Sequence, residues 1–384
     1  MKNDKTSNQT VSRRSALAAT TMLGSVTALG TTVPAKPAQA AVDNDISVAA
    51  DGKYERADLK KDVIKVIAIQ SQLIGVDSER PKPQMRKNLE KMIELIDSAN
   101  GFIPGKQDLL CFHEQPIMGW QPWNRDEALK VAIEVPGPET EALGKKAREH
   151  GCYIAFGSYV RDEENWPGHL LLTGVLIGPS GEVVANHWKQ HNVRLNPAWT
   201  MFTTSAYDVL PRYIEMYGED AVLPVARTDI GNLALVTSPY DPDIHRALAL
   251  KGTEIEVRFS SGGFSQTDSK SSSFFNGNYT ITCNQSMSPD QPGFPDAGGS
   301  GGTSIYGPRG VELGMAKTIH EEFVGTRINM SDFRRRHKLP DMPKALVMPV
   351  YEKYQPPWDP GLSLDYIPDD LEDSARYLNG KRNW

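Results

Sequence analysis

The segment Leu235–Asp243, with the sequence LVTSPYDPD, joins an apolar run to residues whose side chains can do chemistry. The apolar run stops at Ser238, a proline and an acidic turn follow, and apolar residues resume over Ile244–Leu250. This pattern predicts a buried strand that turns into a helix. A strand of this kind can deliver one side chain to a site at the turn, where Ser238, Tyr240 and Asp241 are the candidates.

Imidazole and carboxylate side chains also occur in groups that could bind a metal ion. They are His113, Glu114, His187, His191, Asp241, Asp243 and His245. Ligands of these types suit zinc or manganese. The residue types alone therefore leave a metal-dependent site open as one hypothesis.

The first 40 residues have the features of an export signal. Ser12–Leu17 contains two adjacent arginines, an apolar segment of small residues follows, and Ala38–Ala40 provides a cleavage site. This order of charged region, apolar region and cleavage site is typical of a twin-arginine signal peptide. We therefore expect residues 1–40 to be removed, the mature chain to begin at Ala41, and the protein to be periplasmic or secreted.

Charge and hydropathy argue against two classes of partner. The whole chain has a formal net charge of −6, and loss of residues 1–40, with five basic residues and one acid, makes the chain more negative. Nucleic acid is therefore not an expected partner, and the basic run at 334–338 is interpreted as a solvated helix end. No later segment approaches about 18 uninterrupted apolar residues, so no membrane span is predicted.

Cys111, Cys152 and Cys283 each lie in or beside an apolar run that looks like a strand. This position favours buried free thiols. One disulfide with a leftover thiol stays open as an alternative, because an exported protein enters an oxidising compartment.

Apolar periodicity along the chain predicts alternating strands and helices. The predicted strands are 63–69, 108–112, 153–159, 171–177, 182–187, 233–238, 254–259 and 279–283, and the predicted helices are 85–100, 140–150 and 244–250. Hairpin turns are expected at 178–181 and 307–310. Residues 192–223 are predicted to form a functional loop or lid that carries a short helix.

These elements predict a single α/β domain over residues 61–340, preceded by a polar lead-in at 41–60. Residues 341–384 are rich in proline, tryptophan and tyrosine and have little periodicity. They are predicted to form an extended arm that packs on its own domain or on a partner subunit.

Four segments that follow one another along the chain share features with one enzyme family. They are DLLCFHEQPIMGW, EVPGPETEALGKKAREHGCYIAFGSY, VLIGPSGEVVANHWKQHN and TDIGNLALVTSPYDPDIHRALALKGTEI, and the later GGTSIYGPRG looks like that family's Gly-x-Ser hairpin. From about Val63 to about Arg327 the chain resembles the carbon–nitrogen hydrolase (nitrilase) superfamily, with the aliphatic amidase and nitrilase branches nearest. The resemblance implies a four-layer α-β-β-α sandwich, commonly paired through its helices into a homodimer or larger homo-oligomer.

The chemistry of this family uses a cysteine thiolate as nucleophile, a glutamate as general base and acid, and a lysine that stabilises the oxyanion. The resemblance implies that Glu114 is the base and Lys189 the oxyanion stabiliser. Glu215 is the best match to a second glutamate that many members have between the lysine and the nucleophile. His191 matches a histidine common in the family and Asp241 an ordinary acid of the elbow, so no metal is expected. The resemblance as a whole implies a small-molecule substrate and no cofactor.

The nucleophile position departs from the family pattern. Counting the family's spacing from Gly231 reaches Ser238, where the family has cysteine, and the following elbow is two residues shorter than usual. Pro239 has no backbone N–H to donate to an oxyanion. A serine hydroxyl is far less acidic than a thiol and usually relies on a histidine, for which His113 and His245 are candidates by type.

Two functions therefore remain for the sequence. The first is an exported hydrolase that cleaves a small amide with Glu114, Lys189 and Ser238. The second is a non-catalytic relative that binds a small ligand or serves in assembly, which the joint loss of the thiol and the backbone donor favours. The retained glutamate and lysine favour the hydrolase, which is the prediction made here.

Overall fold

The computed structural model describes residues 46–48, 51–192, 194, 202–237, 240–262, 264–288 and 299–384. The predicted signal peptide, part of the predicted lid, and Ser238 with Pro239 lie outside the described residues. The predicted nucleophile is therefore located only through its neighbours Thr237 and Tyr240.

The strands of the described residues form two mixed sheets of six strands each. Their bounds are β1 (Val63–Gln70), β2 (Leu109–Cys111), β3 (Tyr153–Val160), β4 (Leu171–Ile177), β5 (Val183–Trp188), β6 (Ala226–Thr228), β7 (Gly231–Val236), β8 (Ile255–Phe259), β9 (Tyr279–Cys283), β10 (Ser304–Gly307), β11 (Val311–Met315) and β12 (Glu322–Asn329). The first sheet has the order β12-β1-β2-β3-β4-β5 and the second the order β11-β10-β9-β8-β7-β6.

Each sheet has a parallel centre with antiparallel flanks. In the first sheet β1, β2 and β3 are parallel, and in the second β7, β8 and β9 are parallel. The remaining pairs are antiparallel. Strands buried on both faces are expected to be almost continuously apolar, as β3 and β4 are.

The described residues also form nine α-helices, several of which cover the outer faces of the sheets. Their bounds are α1 (Pro81–Phe102), α2 (Arg125–Val131), α3 (Pro138–His150), α4 (Leu210–Tyr217), α5 (Pro242–Leu250), α6 (Gln266–Asn276), α7 (Met330–Arg336), α8 (Lys344–Tyr351) and α9 (Leu371–Gly380). Apolar residues of α1 and α3, such as Met92 and Leu143, pack with Phe156 of the first sheet. On the second sheet Leu248 of α5 packs against Val236.

A third layer of core lies between the two sheets. Val66 and Ala155 of the first sheet belong to one buried cluster with Leu235, Val257 and Ile281 of the second. The order of layers is therefore helix, sheet, sheet, helix, and the predicted α-β-β-α sandwich is confirmed.

The predicted central strands and their connecting helices are confirmed, with small shifts at their ends. The sequence does not predict α2, α6, β6 or β12. Helix α6 lacks an apolar stripe because it buries small polar side chains instead, among them Ser269, Ser272 and Ser273. Periodicity of apolar residues cannot find a helix of that kind.

The segment predicted as an extended arm requires a correction. It contains α8 and α9, and α8 includes Pro349, so the prolines of this segment do not exclude helical turns. It packs on its own domain, where the Gly361 N–H donates a 2.9 Å hydrogen bond to the Tyr207 carbonyl.

The three cysteines are buried and free, which confirms the interpretation favoured by the sequence. Cys111 lies on β2 and Cys283 on β9, in the cluster between the sheets. Burial raises the pKa of the Cys111 thiol well above its ordinary value. A neutral buried thiol is a poor nucleophile.

None of the described helices has the length and apolar character needed to cross a lipid bilayer.

Candidate active site

The carboxyl ends of the two central parallel triplets meet at one edge of the sandwich. Glu114 follows β2 and Ser260-Ser261 follow β8. The Glu114 N–H donates to the Ser260 carbonyl at 3.3 Å, and the Ser261 hydroxyl donates a short hydrogen bond to Glu114 Oε2. Ligand sites of α/β proteins commonly lie at this end of parallel strands.

Gly157 fixes the position of Glu114. A Cβ atom at this residue of β3 would lie 2.6 Å from the Glu114 carbonyl oxygen and 2.7 Å from its Cα. The backbone of Glu114 therefore lies directly against β3, and the Gly157 N–H donates to the His113 carbonyl at 3.0 Å. A side chain at position 157 would push Glu114 away from its present place.

Lys189 comes directly after β5 and is held by its backbone on both sides. Its N–H donates to the Leu172 carbonyl at 2.8 Å, and its carbonyl accepts from the Ala206 N–H at 2.9 Å. The residue is only 4% exposed. An ammonium group in such a position is fixed and poorly hydrated, which suits it to stabilise negative charge.

For both Glu114 and Lys189, burial shifts the pKa in one direction and the charge of the other residue shifts it in the opposite direction. Burial raises the pKa of Glu114, while the charge of Lys189 and the Ser261 hydrogen bond act to lower it. Burial lowers the pKa of Lys189, while Glu114, Asp241 and Asp208 act to raise it. Glu114 is thus a stronger base than an ordinary glutamate. The nearby carboxylates favour the charged form of Lys189.

The elbow after β7 is described up to Thr237 and again from Tyr240. Tyr240 has a φ of +64°, a left-handed conformation that an aromatic residue rarely adopts and that costs about 1–3 kcal/mol. Asp241 is the residue at the start of α5, and its Oδ1 lies 3.4 Å from His191 Nδ1. Tyr240 is therefore strained, and Asp241 beside it contacts the segment that follows Lys189.

A cavity of about 510 Å³ opens beside these residues. Gln190 and His191, which follow Lys189, and Tyr240 and Asp241, which follow the elbow, all contribute to its wall. The cavity therefore adjoins the two segments to which the predicted lysine and nucleophile belong.

The other predicted site residues differ in their positions. His113 is buried, its Nδ1 accepts from the Gln115 N–H at 3.3 Å, and burial lowers its pKa to about 3. His245 is buried in α5, with Nδ1 3.2 Å from Glu256 Oε1. Glu215 lies on the exposed side of α4. Glu114 and Lys189 are close enough to act on each other's charge, whereas His245 faces Glu256 and Glu215 is exposed.

The residues of the metal hypothesis do not form a group with ligand geometry among the described residues. The grouping with suitable spacing there is Asp97, Glu149 and His150. Lys146 binds both Asp97 and Glu149, at 2.8 and 2.9 Å, which accounts for their closeness without an ion.

Ser261 is the site residue that sequence reasoning missed. Its position could have been found from topology, because it follows β8, the parallel neighbour of β7, and Ser238 comes after β7 in the sequence. The ends of adjacent parallel strands meet at the same edge. The missing information was the docking of the two sheets, which brings Ser261 to Glu114 across 147 residues of sequence.

A four-layer sandwich with a buried glutamate after β2 and a buried lysine after β5 defines a class of α/β enzymes. The chain belongs to the carbon–nitrogen hydrolase family, since the family model described as Carbon-nitrogen hydrolase matches residues 69–338.

Curated proteins with a similar sequence include formamidases. A formamidase from Bacillus cereus (strain AH820) is 27% identical over 179 residues, which cover 45% of this chain and 47% of the relative, and one from Bacillus anthracis matches equally. The chain thus spans about half the length of the curated relatives it matches.

Solved structures show the same fold at lower identity. An amidase from Nesterenkonia AN1 of the nitrilase superfamily has a TM-score of 0.55 and 16% identity, and the match covers 76% of this chain and 99% of that one. The same amidase in complex with acrylamide gives a TM-score of 0.53 at 15% identity, over 77% and 99% of the two chains.

Proposed function

We propose that the protein hydrolyses the carbon–nitrogen bond of amides, with Glu114 as general base and acid, Lys189 as oxyanion stabiliser and Ser238 as nucleophile. The observation that carries the proposal is that Glu114, which follows β2, and Lys189, which follows β5, are both buried and close enough to act on each other's charge. Family membership, the formamidase relatives and the amidase fold support it.

The proposed reaction has two halves. The Glu114 carboxylate takes the proton from the Ser238 hydroxyl as its oxygen attacks the amide carbon, and the Lys189 ammonium stabilises the resulting oxyanion. Glu114 then gives the proton to the leaving nitrogen, and the carbon–nitrogen bond breaks to leave an acyl ester. Water, deprotonated by Glu114, attacks the ester, the proton returns to the serine oxygen, and the carboxylic acid leaves.

The raised pKa of Glu114 bears on the weak point of this scheme, the low acidity of serine. A carboxylate in water is too weak a base to activate a hydroxyl efficiently. Burial makes Glu114 a stronger base, and a nearby ammonium lowers the free energy of the oxyanion that forms. Both effects act in the direction the reaction needs.

The test is ammonia release by the purified mature protein from formamide, acetamide and phenylacetamide. Glu114→Gln should lower kcat/KM by about 10²–10⁴-fold, the range for removal of a general base. Glu215→Gln is the matched control: its exposed side chain should leave kcat/KM within about twofold, since surface changes of this kind have small effects.

Ser238→Ala, together with mass spectrometry of an acyl adduct, tests the nucleophile. An adduct on Ser238 that is absent from Ser238→Ala supports its role, and wild-type turnover by Ser238→Ala would show that the role is wrong. If no amide on the panel releases ammonia, the hydrolase proposal fails and the non-catalytic alternative replaces it.

We also propose that residues 1–40 direct twin-arginine export, from the order of their charged, apolar and small residues. A tagged protein should appear in the periplasm with Ala41 at its N-terminus, and Arg13→Lys with Arg14→Lys should leave the precursor inside the cell. A mature N-terminus elsewhere would contradict the cleavage site.

A further inference from the structure

The cavity beside the candidate site is much larger than a simple amide needs. Its volume is about 510 Å³, within the range of about 300–1,000 Å³ that binds ligands of drug size. Formamide, with roughly the volume of two water molecules at about 30 Å³ each, would fill about a tenth of it. The cavity therefore fits a substrate with a substantial acyl group.

The inner walls of this cavity are mainly apolar. Leu210, Val222 and Leu223 come from the segment between the lysine and β6, and Ile244 comes from α5. The polar groups Gln190, His191 and Asp241 lie together where the chain leaves Lys189 and the elbow. A bound amide would thus place its polar end toward the candidate catalytic residues and its carbon skeleton away from them.

The outer wall is formed by the C-terminal segment, through Tyr354, Pro356, Pro357 and Trp358. Hydrogen bonds hold this wall in place on both sides. The Tyr207 hydroxyl donates to the Trp358 carbonyl at 2.9 Å, the Trp358 Nε1–H donates to the Leu378 carbonyl at 2.7 Å, and the Asn383 N–H donates to the Pro357 carbonyl at 2.8 Å. Aromatic and proline side chains fixed in this way form a preformed apolar surface.

The charges that border the cavity are only partly paired within the protein. The Arg194 guanidinium makes a short ion pair with Asp208, and the Cζ of Arg194 lies 5.2 Å from the centre of the Trp358 ring. Arg194 Nε and Nη1 are buried with no hydrogen-bond partner among the described residues. His191 and Asp241 form a second pair. The contact with Arg194 helps to hold the Trp358 ring at the cavity wall.

We infer that the cavity selects amides with an aromatic or similarly bulky apolar acyl group, and that Trp358 of the C-terminal segment is a specificity-determining residue for them. This inference rests on the proposed function, because it takes the cavity as the substrate site of the same reaction. The curated relatives are formamidases, so the inference predicts that this chain prefers larger substrates than their name describes.

The first experiment compares kcat/KM for acetamide and phenylacetamide by ammonia release. Phenylacetamide should exceed acetamide by about tenfold or more, since even one methylene in an apolar pocket gives about 10–200-fold. An equal or better rate with acetamide would overturn the inference.

Variants then test the outer wall. Trp358→Ala should lower the ratio of kcat/KM for phenylacetamide over acetamide by about tenfold, mainly through KM, and Trp358→Phe should restore most of it. Tyr351→Ala is the matched control: Tyr351 lies on α8 of the same segment but borders a different cavity, so the ratio should not change. A ratio that stays the same in Trp358→Ala would contradict the role of Trp358.

Binding separates this inference from the proposed function. Isothermal titration should show that the Glu114→Gln protein binds phenylacetamide with a lower Kd than acetamide. Adding Trp358→Ala to that protein should raise the Kd for phenylacetamide. If phenylacetamide binds but the wild type turns over no amide, the proposed reaction is wrong and the cavity assignment stands. If the wild type turns over acetamide but phenylacetamide does not bind, the reaction stands and the cavity assignment is wrong. If Trp358→Ala does not fold, Leu223→Trp replaces it: by filling the cavity it should lower the ratio, and an unchanged ratio would contradict the inference.

Discussion

Two buried glutamates at opposite edges of the sandwich show how the same side chain can serve structure or chemistry. Glu254, which directly precedes β8, accepts from Tyr54 and Arg334 through Oε1 at 2.9 and 2.8 Å, and from Arg334 and the Asn232 N–H through Oε2 at 2.8 Å each. Glu114, after β2, accepts one side-chain hydrogen bond from a described residue, that of Ser261.

The cations near the two glutamates also differ in how they interact with the carboxylate. Arg334 binds both oxygens of Glu254 with its planar fork and also donates to the Ala57 carbonyl at 2.7 Å, so it ties the N-terminal segment and α7 to the second sheet. Lys189 acts on Glu114 as a point charge. A carboxylate with four donors has no lone pair left for a proton, whereas Glu114 retains lone pairs that can accept one.

The same substitution at both positions gives the largest expected effects. Glu254→Gln should lower the free energy of unfolding by about 3–5 kcal/mol, because it leaves the buried Arg334 without its charge partner. In the fraction that stays folded, kcat should be unchanged. Glu114→Gln should cost less stability but remove most of the amide turnover. Urea unfolding and ammonia release measure the two effects.

The comparison fails if the two variants behave alike. Loss of activity in folded Glu254→Gln, or a loss of stability in Glu114→Gln as large as that in Glu254→Gln, would show that the number of donors does not separate the two roles.

Gly157→Ala tests whether amide turnover depends on the exact position of Glu114. The new Cβ would meet the Glu114 backbone at 2.6–2.7 Å, so the carboxylate must shift, and kcat/KM should fall by about 10²-fold, the typical cost of a 1 Å displacement. Overpacking should also cost about 1–3 kcal/mol of stability. Thermal unfolding and the amide assay provide both values.

Gly101→Ala is the control for that substitution, since a Cβ there has open space in α1. It should leave kcat/KM unchanged and raise stability slightly, because alanine favours a helix more than glycine does. Full activity in Gly157→Ala would mean that Glu114 tolerates displacement.

The smallest expected effect is a shift in pH dependence. Glu114 must be deprotonated to act as a base, so kcat/KM should rise as pH increases through its pKa, which burial places above the ordinary range of glutamate. Ser261→Ala removes a hydrogen bond that favours the carboxylate. The pKa should therefore rise further, and the acidic limb of kcat/KM should move to higher pH by about one unit, the equivalent of one charged hydrogen bond.

Ser260→Ala is the matched control, because the contact of Ser260 with Glu114 is made by its carbonyl group. An acidic limb that stays in place or moves to lower pH in Ser261→Ala would contradict the role given to Ser261. Complete loss of turnover in that variant would instead indicate that Ser261 is the nucleophile.

The sequence predicts the elements of this fold well where burial is apolar and regular. Strands β1, β3 and β4 have continuous apolar runs, and α1 and α3 have helical spacing, so local patterns locate them. Helix α6 escapes because it buries serines, and β12 escapes because its pairing with β1 depends on residues more than 250 positions apart.

The candidate site is predictable only through the family resemblance, and only in part. Glu114 and Lys189 follow strands in segments that the family shares, so their positions transfer. Ser261 could not be found in this way, because its hydrogen bond depends on how closely two separate sheets approach. The wall contributed by Trp358 lies in a segment with no periodicity, where neither pattern nor resemblance places a side chain.

Strand β12 also has a consequence for the order of events during synthesis. It is made after the whole second sheet, yet it pairs with β1, the first strand to leave the ribosome, from Val63 with Asn329 to Gln70 with Glu322. The contact between Glu114 and Ser261 likewise joins early and late parts of the chain. The first sheet therefore gains its edge strand only after the second sheet has been synthesised, and the cavity wall around Trp358 is synthesised later still.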